Sequence, residues 1–341
     1  MNDKMVKVSV ILPVYGVEKY IEKCTESLLR QTLDEMEFIF VDDHGPDNSI
    51  EKAKNTIKGH ARESQFKFIK PERNLGAGMA RNFAFQYVEG EYVAFVDSDD
   101  WIEPTMFEEL YNAAIAYNKP DLCYCHAYKD YEDGKPTEIL RNPIVEGGPF
   151  VHEKKSFFLQ NYVSLFWTFL YRKEFLERYH IAYPEERSAD DSYFVSCSLL
   201  MAESIALVDK PFYHYLIRPG SICTTKVSDK YKKRLATFAK FMGFVKEQGA
   251  YEPYKAEIDY IYLKKGYVSS VFNFLYNSSC PTASVLREIG EELNVQAPDY
   301  HDNIYYKNNF KLKCLVSMFE KCPQMTVRLM PGIIRRMNLV V

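Results

Sequence analysis

The stretch Tyr92-Val-Ala-Phe-Val-Asp97-Ser98-Asp99-Asp100-Trp101 decides the reading of this chain. Its first five residues are an unbroken apolar run, the pattern of a strand buried on both faces. The carboxylates follow where that strand ends. Side chains two apart on an extended segment point the same way, so Asp97 and Asp99 are expected to share a face. Two carboxylates aimed at one place repel unless a cation or a proton sits between them. Hard oxygen ligands of this kind suit Mg²⁺ or Mn²⁺, held by one or two carboxylates together with substrate phosphates. A solvated acidic turn with an Asp helix cap is the competing reading, and a bare D-x-D does not choose between them.

Working outward, Val8-Ser-Val-Ile-Leu12, closed by Pro13, reads as a first strand. Glu37-Phe-Ile-Phe-Val41 reads as a second, ending in Asp42-Asp43, and Phe66 to Ile69 as a third. Between them Val17, Tyr20, Ile21, Cys24, Leu28 and Leu29 fall at helical spacing. A second helix starts near Ser49 with Asp47 or Asn48 as its cap, and a third spans Gly76 to Tyr87. Pro104 sits in the first turn of a helix reaching about Asn118. Repeated strand–helix units with short connections predict an α/β fold: a mainly parallel sheet flanked by helices on both faces, with right-handed crossovers. Ligands of such sheets bind beyond the carboxyl ends of the strands, which is where the D-x-D falls.

Residues 121–225 read as a looser, mixed half of the same domain, with a Gly-Gly loop at 147–148 and a helix near 153–161. From Asp229 the pattern turns helical, over 229–248, 252–278, 283–293 and 308–322. The expected division is a catalytic domain over 1–225 and a mostly helical extension over 226–341.

Two further clusters fall on the same sheet edge. Asp42-Asp43 can accept from a ribose hydroxyl or a base N–H, or can simply turn the chain ahead of Gly45-Pro46. Asn74-Leu-Gly-Ala-Gly-Met-Ala-Arg81-Asn82 opens a helix whose free N–H groups attract anions, with Arg81 adding a fixed charge. This is not the dinucleotide-binding glycine motif, which belongs after the first strand, where this chain has Pro13-Val14-Tyr15-Gly16.

In order and spacing, the blocks Val8–Tyr15, Phe38–Asp43, Asn74–Asn82 and Phe95–Trp101 resemble glycosyltransferase family 2, with its GT-A nucleotide-diphospho-sugar transferase fold. The resemblance covers residues 6–225, most specifically 6–105. It implies inverting transfer of a sugar from a nucleotide-diphosphate donor, usually UDP-linked, with Mg²⁺ or Mn²⁺. Pro13, Tyr15 and Asp42 match positions lining the nucleoside pocket. Asn74 and Arg81 match the block around the base and diphosphate, Asp97 the carboxylate near ribose and metal, and Asp99 the main metal ligand. Phe166-Trp167-Thr-Phe-Leu-Tyr-Arg resembles an acceptor-side segment in which Trp167 stacks on a sugar or packs in the core. Ser188-Ala-Asp190-Asp191-Ser-Tyr-Phe194 resembles the family's Glu-Asp-x-x-Phe block, with Asp190 where Glu is usual and Asp191 at the general base. Tyr213-His214-Tyr-Leu-Ile-Arg218-Pro-Gly-Ser221 resembles a late block that closes over the diphosphate. There Arg218 is the candidate phosphate partner, and His214 is either a metal ligand or a packed histidine. By this resemblance the acceptor is a saccharide or polyprenyl-linked saccharide of capsular, exopolysaccharide or lipopolysaccharide synthesis.

Composition sets the outer limits. The 341 residues are 47% apolar and 26% charged, with 15 Gly and 16 Pro, which excludes a disordered or collagen-like chain. A net charge of −4 argues against a nucleic-acid partner. The 26 Tyr suit a sugar cleft and core packing alike. Eight Cys form no C-x-x-C pair, so a reducing cytosol is expected. The polar N-terminus lacks a signal-peptide pattern. A phosphohydrolase would place D-x-D after its first strand, and a non-catalytic binder would not need both Asp99 and Asp191. A nucleotidyltransferase would carry a Gly-rich basic loop after strand one. Residues 301–341 set Lys307, Lys311, Lys313, Lys321, Arg328, Arg335 and Arg336 against Asp302 and Glu320. With apolar residues between, this tail reads as a basic amphipathic segment that lies on an anionic membrane face, docks on the catalytic domain or makes an oligomer contact.

Overall fold

Three parallel hydrogen-bonded ladders set the frame. β1 (Val8–Val14) pairs in parallel with β2 (Met36–Asp42) on one side and β4 (Tyr92–Phe95) on the other, and β2 pairs in parallel with β3 (Phe66–Ile69). Every residue of β1 is buried, as expected of a central strand covered on both faces. The computed structural model describes residues 5–218 and 229–337, the last three of these by backbone alone.

The remaining strands are β5 (Trp101–Ile102), β6 (Leu122–Tyr131), β7 (Glu138–Leu140), β8 (Gly148–Pro149), β9 (Phe169–Arg172) and β10 (Ser204–Ile217). Among the described residues the sheet order is β3-β2-β1-β4-β9-β6-β10-β5, with β7 on β6 and β8 on β10. β9 runs antiparallel between β4 and β6, whereas β6 and β10 are parallel. The sheet is therefore mixed, with a parallel half that carries the carboxylates.

Helices α1 (Ile21–Leu29), α2 (Ser49–Ile57), α3 (Ala77–Phe85), α4 (Met106–Ala116), α5 (His152–Asn161) and α6 (Lys173–Arg178) connect the strands. α1 buries Ile21, Cys24 and Leu28, one stripe at helical spacing. At the start of α2 the Asp47 carboxylate accepts from the Ser49 N–H and hydroxyl, while the Asn48 side chain makes no capping bond. The core is aromatic. Phe95 is ringed by Phe166, Tyr171, Tyr183 and Phe194 at 5.5–6.0 Å. Much of the tyrosine surplus is core: Tyr92, Tyr124 and Tyr171 are buried, and each phenol donates to a backbone carbonyl, as a buried phenol must.

The chain forms two compact units, Met1–Glu185 with Phe194–Arg218, and Glu186–Tyr193 with Pro219–Val341. The expected boundary at 225/226 lies outside the described residues, and the segment carrying Asp190 and Asp191 groups with the second unit. That segment opens α7 (Asp190–Met201).

The second unit is helical: α8 (Lys230–Glu247), α9 (Lys255–Ile261), α10 (Ser269–Asn277), α11 (Ala283–Gln296), α12 (Ile304–Asn308), α13 (Phe310–Lys321) and α14 (Pro323–Met337). The helix expected over 252–278 is interrupted by a π-helical stretch, Tyr262–Val268. There Gly266 lies against Phe238, whose Cβ would be 3.2 Å from an added methyl. α14 was not expected. It starts at Pro323, at the favoured first position, and continues through Pro331.

One glycine is fixed by space. A Cβ on Gly90 would stand 2.6 Å from the Ser9 backbone N and Oγ, and the Gly90 N–H donates to that Oγ. Gly90→Ala is expected to cost about 1–3 kcal/mol by overpacking. A thermal melt checks this, and an unchanged midpoint would contradict it.

Candidate active site

The carboxyl ends of β1, β2 and β4 bring the expected site residues to one edge. The β1–β2 register sets Val14 opposite Asp42, and the Ser98 hydroxyl donates to the Pro13 carbonyl at 2.7 Å. Buried Pro13 thus supports the acidic segment, while Tyr15 is exposed just beyond it.

The acidic segment is not extended. The Asp100 N–H donates to the Asp97 carbonyl at 3.0 Å, closing a turn, so alternation does not place Asp97 and Asp99 on one face. A different arginine meets each. Arg81, 4% exposed, donates to Asp97 Oδ1 at 2.6 Å, and its guanidinium lies over Phe166 at 4.2 Å. Arg218 donates to Asp99 Oδ2 through Nε at 2.9 Å and Nη2 at 2.8 Å, with its guanidinium over Tyr20 at 4.6 Å.

Asp100 faces inward. It accepts from the Tyr213 hydroxyl at 2.8 Å and from the Leu216 N–H at 2.8 Å. Burial first, then the Asp99 and Asp97 charges, holds its carboxyl well above the usual carboxylate range. Tyr213 also accepts from the Asp97 N–H at 3.0 Å. Burial and the charges of Asp100 and Asp97 push its phenol up, so it stays a donor. Neither Tyr213 nor Asp100 was singled out from the sequence, although both lie inside the quoted blocks. The Cys24 thiol contacts the Asp97 carbonyl and is raised by burial and by the three carboxylates, which keeps it protonated and a poor nucleophile.

On the neighbouring strand Asp42 pairs with Lys70 at 2.8 Å. Buried Asp43 accepts from the Leu75 and Gly76 N–H groups at 2.6 and 2.8 Å, and its carbonyl accepts from Asn74 Nδ2 at 2.7 Å. The N–H groups expected to draw a ligand anion ahead of α3 are thus partly taken by an internal carboxylate. Asp43 is the organiser of that loop.

The structure decides two alternatives that the sequence left open. Trp167 is 4% exposed and stacks on Tyr213 at 4.0 Å, so it packs the core and backs the Asp97–Asp100 turn. It presents no open face to a sugar. His214 has no nitrogen left for a metal: Nδ1 meets Asp130 at 2.8 Å and Nε2 meets Glu103 at 3.0 Å. Its ring is layered between Trp101 and Tyr128 at 4.9 and 4.6 Å. Asp190 and Asp191 lie in the first turn of α7, where the helix dipole favours a carboxylate. Residues 219–221 of the late block lie outside the described residues.

A divalent cation fits the donor set in part. Asp97 and Asp99 are hard oxygen donors within one turn. No group of three His, Cys, Asp or Glu side chains forms a ready cage among the described residues. One or two carboxylates completed by phosphate oxygens and water is the usual arrangement for Mg²⁺.

A mixed sheet with carboxylates ending its fourth strand is the GT-A fold, and known proteins agree. The family model for glycosyl transferase family 2 matches residues 9–180. EpsH of Bacillus subtilis (strain 168), named as a glycosyltransferase, is 32% identical over 256 residues, 74% of this chain and 73% of EpsH. The poly(ribitol-phosphate) beta-N-acetylglucosaminyltransferase TarS of Staphylococcus aureus (strain MW2) is 32% identical over 221 residues, 63% of this chain but 36% of TarS. The crystal structure of S. aureus TarS 1-349 in complex with UDP-GlcNAc superposes with a TM-score of 0.59 at 20% identity, covering 95% of this chain and 92% of that one. The mannosyltransferase PcManGT from Pyrobaculum calidifontis, in complex with GDP-Man and Mn²⁺, superposes with a TM-score of 0.52 at 16% identity, covering 96% and 88%. The chain belongs to glycosyl transferase family 2 and is a glycosyltransferase.

Tyr213→Phe leaves Asp97 N–H and buried Asp100 each short of a partner. It is expected to cost about 1–3 kcal/mol of stability. A thermal melt checks this, and an unchanged midpoint would remove Tyr213 from its role.

Proposed function

We propose that this enzyme transfers a sugar, with inversion, from a nucleotide-diphosphate donor, UDP-linked, to a hydroxyl of a saccharide or lipid-linked saccharide acceptor in cell-envelope or exopolysaccharide synthesis. One observation carries the reading: two carboxylates, Asp97 and Asp99, each held by an arginine, stand at the carboxyl edge of β4 beside the ends of β1 and β2. The UDP-GlcNAc complex of TarS and the GDP-Man complex of PcManGT, similar in fold, support a nucleotide-sugar donor.

In this reading Tyr15 and Asp42 border the nucleoside. Asn74 holds the loop beside it, and Arg81 fixes Asp97 toward the ribose. Arg218 exchanges Asp99 for the diphosphate of the donor, where its charge stabilises the leaving group. Asp99 with Asp97 would hold Mg²⁺ or Mn²⁺, which would supply charge neutralisation on the diphosphate. Asp191 accepts the proton of the acceptor hydroxyl as that oxygen bonds to the anomeric carbon. The electron pair of the breaking C–O bond leaves with the diphosphate. A single displacement of this kind inverts configuration and needs no enzyme nucleophile. Asp190 borders the acceptor in place of the family's Glu.

A panel of UDP-sugars, assayed for release of UDP with and without acceptor, tests the activity and names the sugar. Asp191→Asn is expected to lower turnover by roughly 10²–10⁴ through loss of the base, with UDP affinity retained. Near wild-type turnover would remove Asp191 from the role. Asp99→Ala is expected to abolish the Mn²⁺-dependent part of UDP affinity in calorimetry. An affinity indifferent to Mn²⁺ in the wild type would contradict the metal assignment.

A further inference from the structure

The amphipathic tail divides into two helices with different partners. In α13 the apolar residues Leu312, Val316 and Phe319 are buried, and Phe319 packs against Tyr267 and Phe272 of the same unit. That half of the tail's apolar surface is spent on internal packing. α14 also buries a stripe, Thr326, Met330 and Ile334. Beside that stripe, about 100° round the helix, lie Met325, Leu329 and Ile333, which are 48%, 53% and 43% exposed. Their i, i+4, i+8 spacing makes them one outward ridge. Phe310 at the start of α13 is 74% exposed.

The charge around this ridge has one sign. Lys311, Lys321 and Arg328 are exposed and have no ion-pair partner among the described residues. Between residues 303 and 337 the sequence holds a single acid, Glu320, and it accepts from the Tyr300 hydroxyl. We propose that this outward face of α14, with Phe310, Lys311 and Lys321 of α13, docks on an anionic lipid surface. The proposal does not depend on the donor, metal or base assignments above.

Charge selects this occupant over a second copy of the chain. A two-fold contact brings the same patch against itself, setting Lys321 and Arg328 against like charges. An anionic bilayer complements both features, taking the apolar side chains at the headgroup boundary and the cations at its surface. Among the described residues no helix is long and apolar enough to cross a membrane, and the contact proposed is interfacial.

Vesicle flotation of the full chain tests this, using phosphatidylcholine alone and phosphatidylcholine with about 30% phosphatidylglycerol. The wild type is expected to bind the anionic vesicles at least about tenfold better, with binding weakened by salt. Two variants separate the contributions: Met325→Ser with Leu329→Ser and Ile333→Ser, and Lys321→Glu with Arg328→Glu. Each is expected to lose about tenfold or more in vesicle binding, with melting temperature unchanged. Should the serine variant melt early, the charge-reversal variant alone decides. Failure of the wild type to float with anionic vesicles overturns the proposal, as does undiminished binding by a folded variant. It is also overturned if the serine variant turns a dimer into a monomer in light scattering while vesicle binding persists.

Discussion

A buried phenol holds the acidic site together. Tyr213 takes the Asp97 N–H and gives its proton to Asp100, joining the turn after β4 to the middle of β10. Three carboxylates within four residues repel one another. In this turn one is buried against two hydrogen-bond donors and the other two meet cations. Asp100 is the buried one. Its second bond, to the Leu216 N–H, fixes the end of β10, and two residues later the chain delivers Arg218 to Asp99. The sheet thus positions an arginine from a late block over a carboxylate from an early one.

The two arginine–carboxylate pairs differ in setting. Arg81 is buried beneath Asp97 and stacked against Phe166 and Tyr183. Removing one partner of such a pair strands the other charge. Arg218 is more exposed, and its guanidinium rests on Tyr20. In the proposed function the first pair serves as scaffold, and the more exposed second pair is the one assigned to exchange partners with a diphosphate. His214 contributes from further out. Its stack between Trp101 and Tyr128, with Asp130 and Glu103 on its two nitrogens, anchors the residue that follows the acidic turn.

The parallel half of the fold was legible because its strands are short, mostly apolar runs and its helices carry clear stripes. Val8–Leu12, Glu37–Val41 and Tyr92–Val96 needed nothing beyond their own pattern. The acidic turn was legible as chemistry and not as geometry. Alternation holds only in extended chain, and Asp97–Asp100 folds back on its own carbonyl. Asp43 and Tyr213 escaped because their roles are set by contacts 31 and more residues away in sequence, which no local period records. His214 and Trp167 show the reverse case, reactive residue types absorbed by packing. In the helical part, the π-helical stretch Tyr262–Val268 and the run of α14 through Pro331 escaped because the apolar period alone records neither.

The central claim is that the turn after β4 is where nucleotide and metal meet. A crystal structure with UDP and Mn²⁺ bound, with anomalous data collected to place the manganese, addresses it directly. The account predicts manganese within coordinating distance of Asp99, the diphosphate on Arg218, and the Arg218–Asp99 pair broken, with Arg81 still on Asp97. Manganese and nucleotide bound away from this turn, with Arg218 still seated on Asp99, would contradict it.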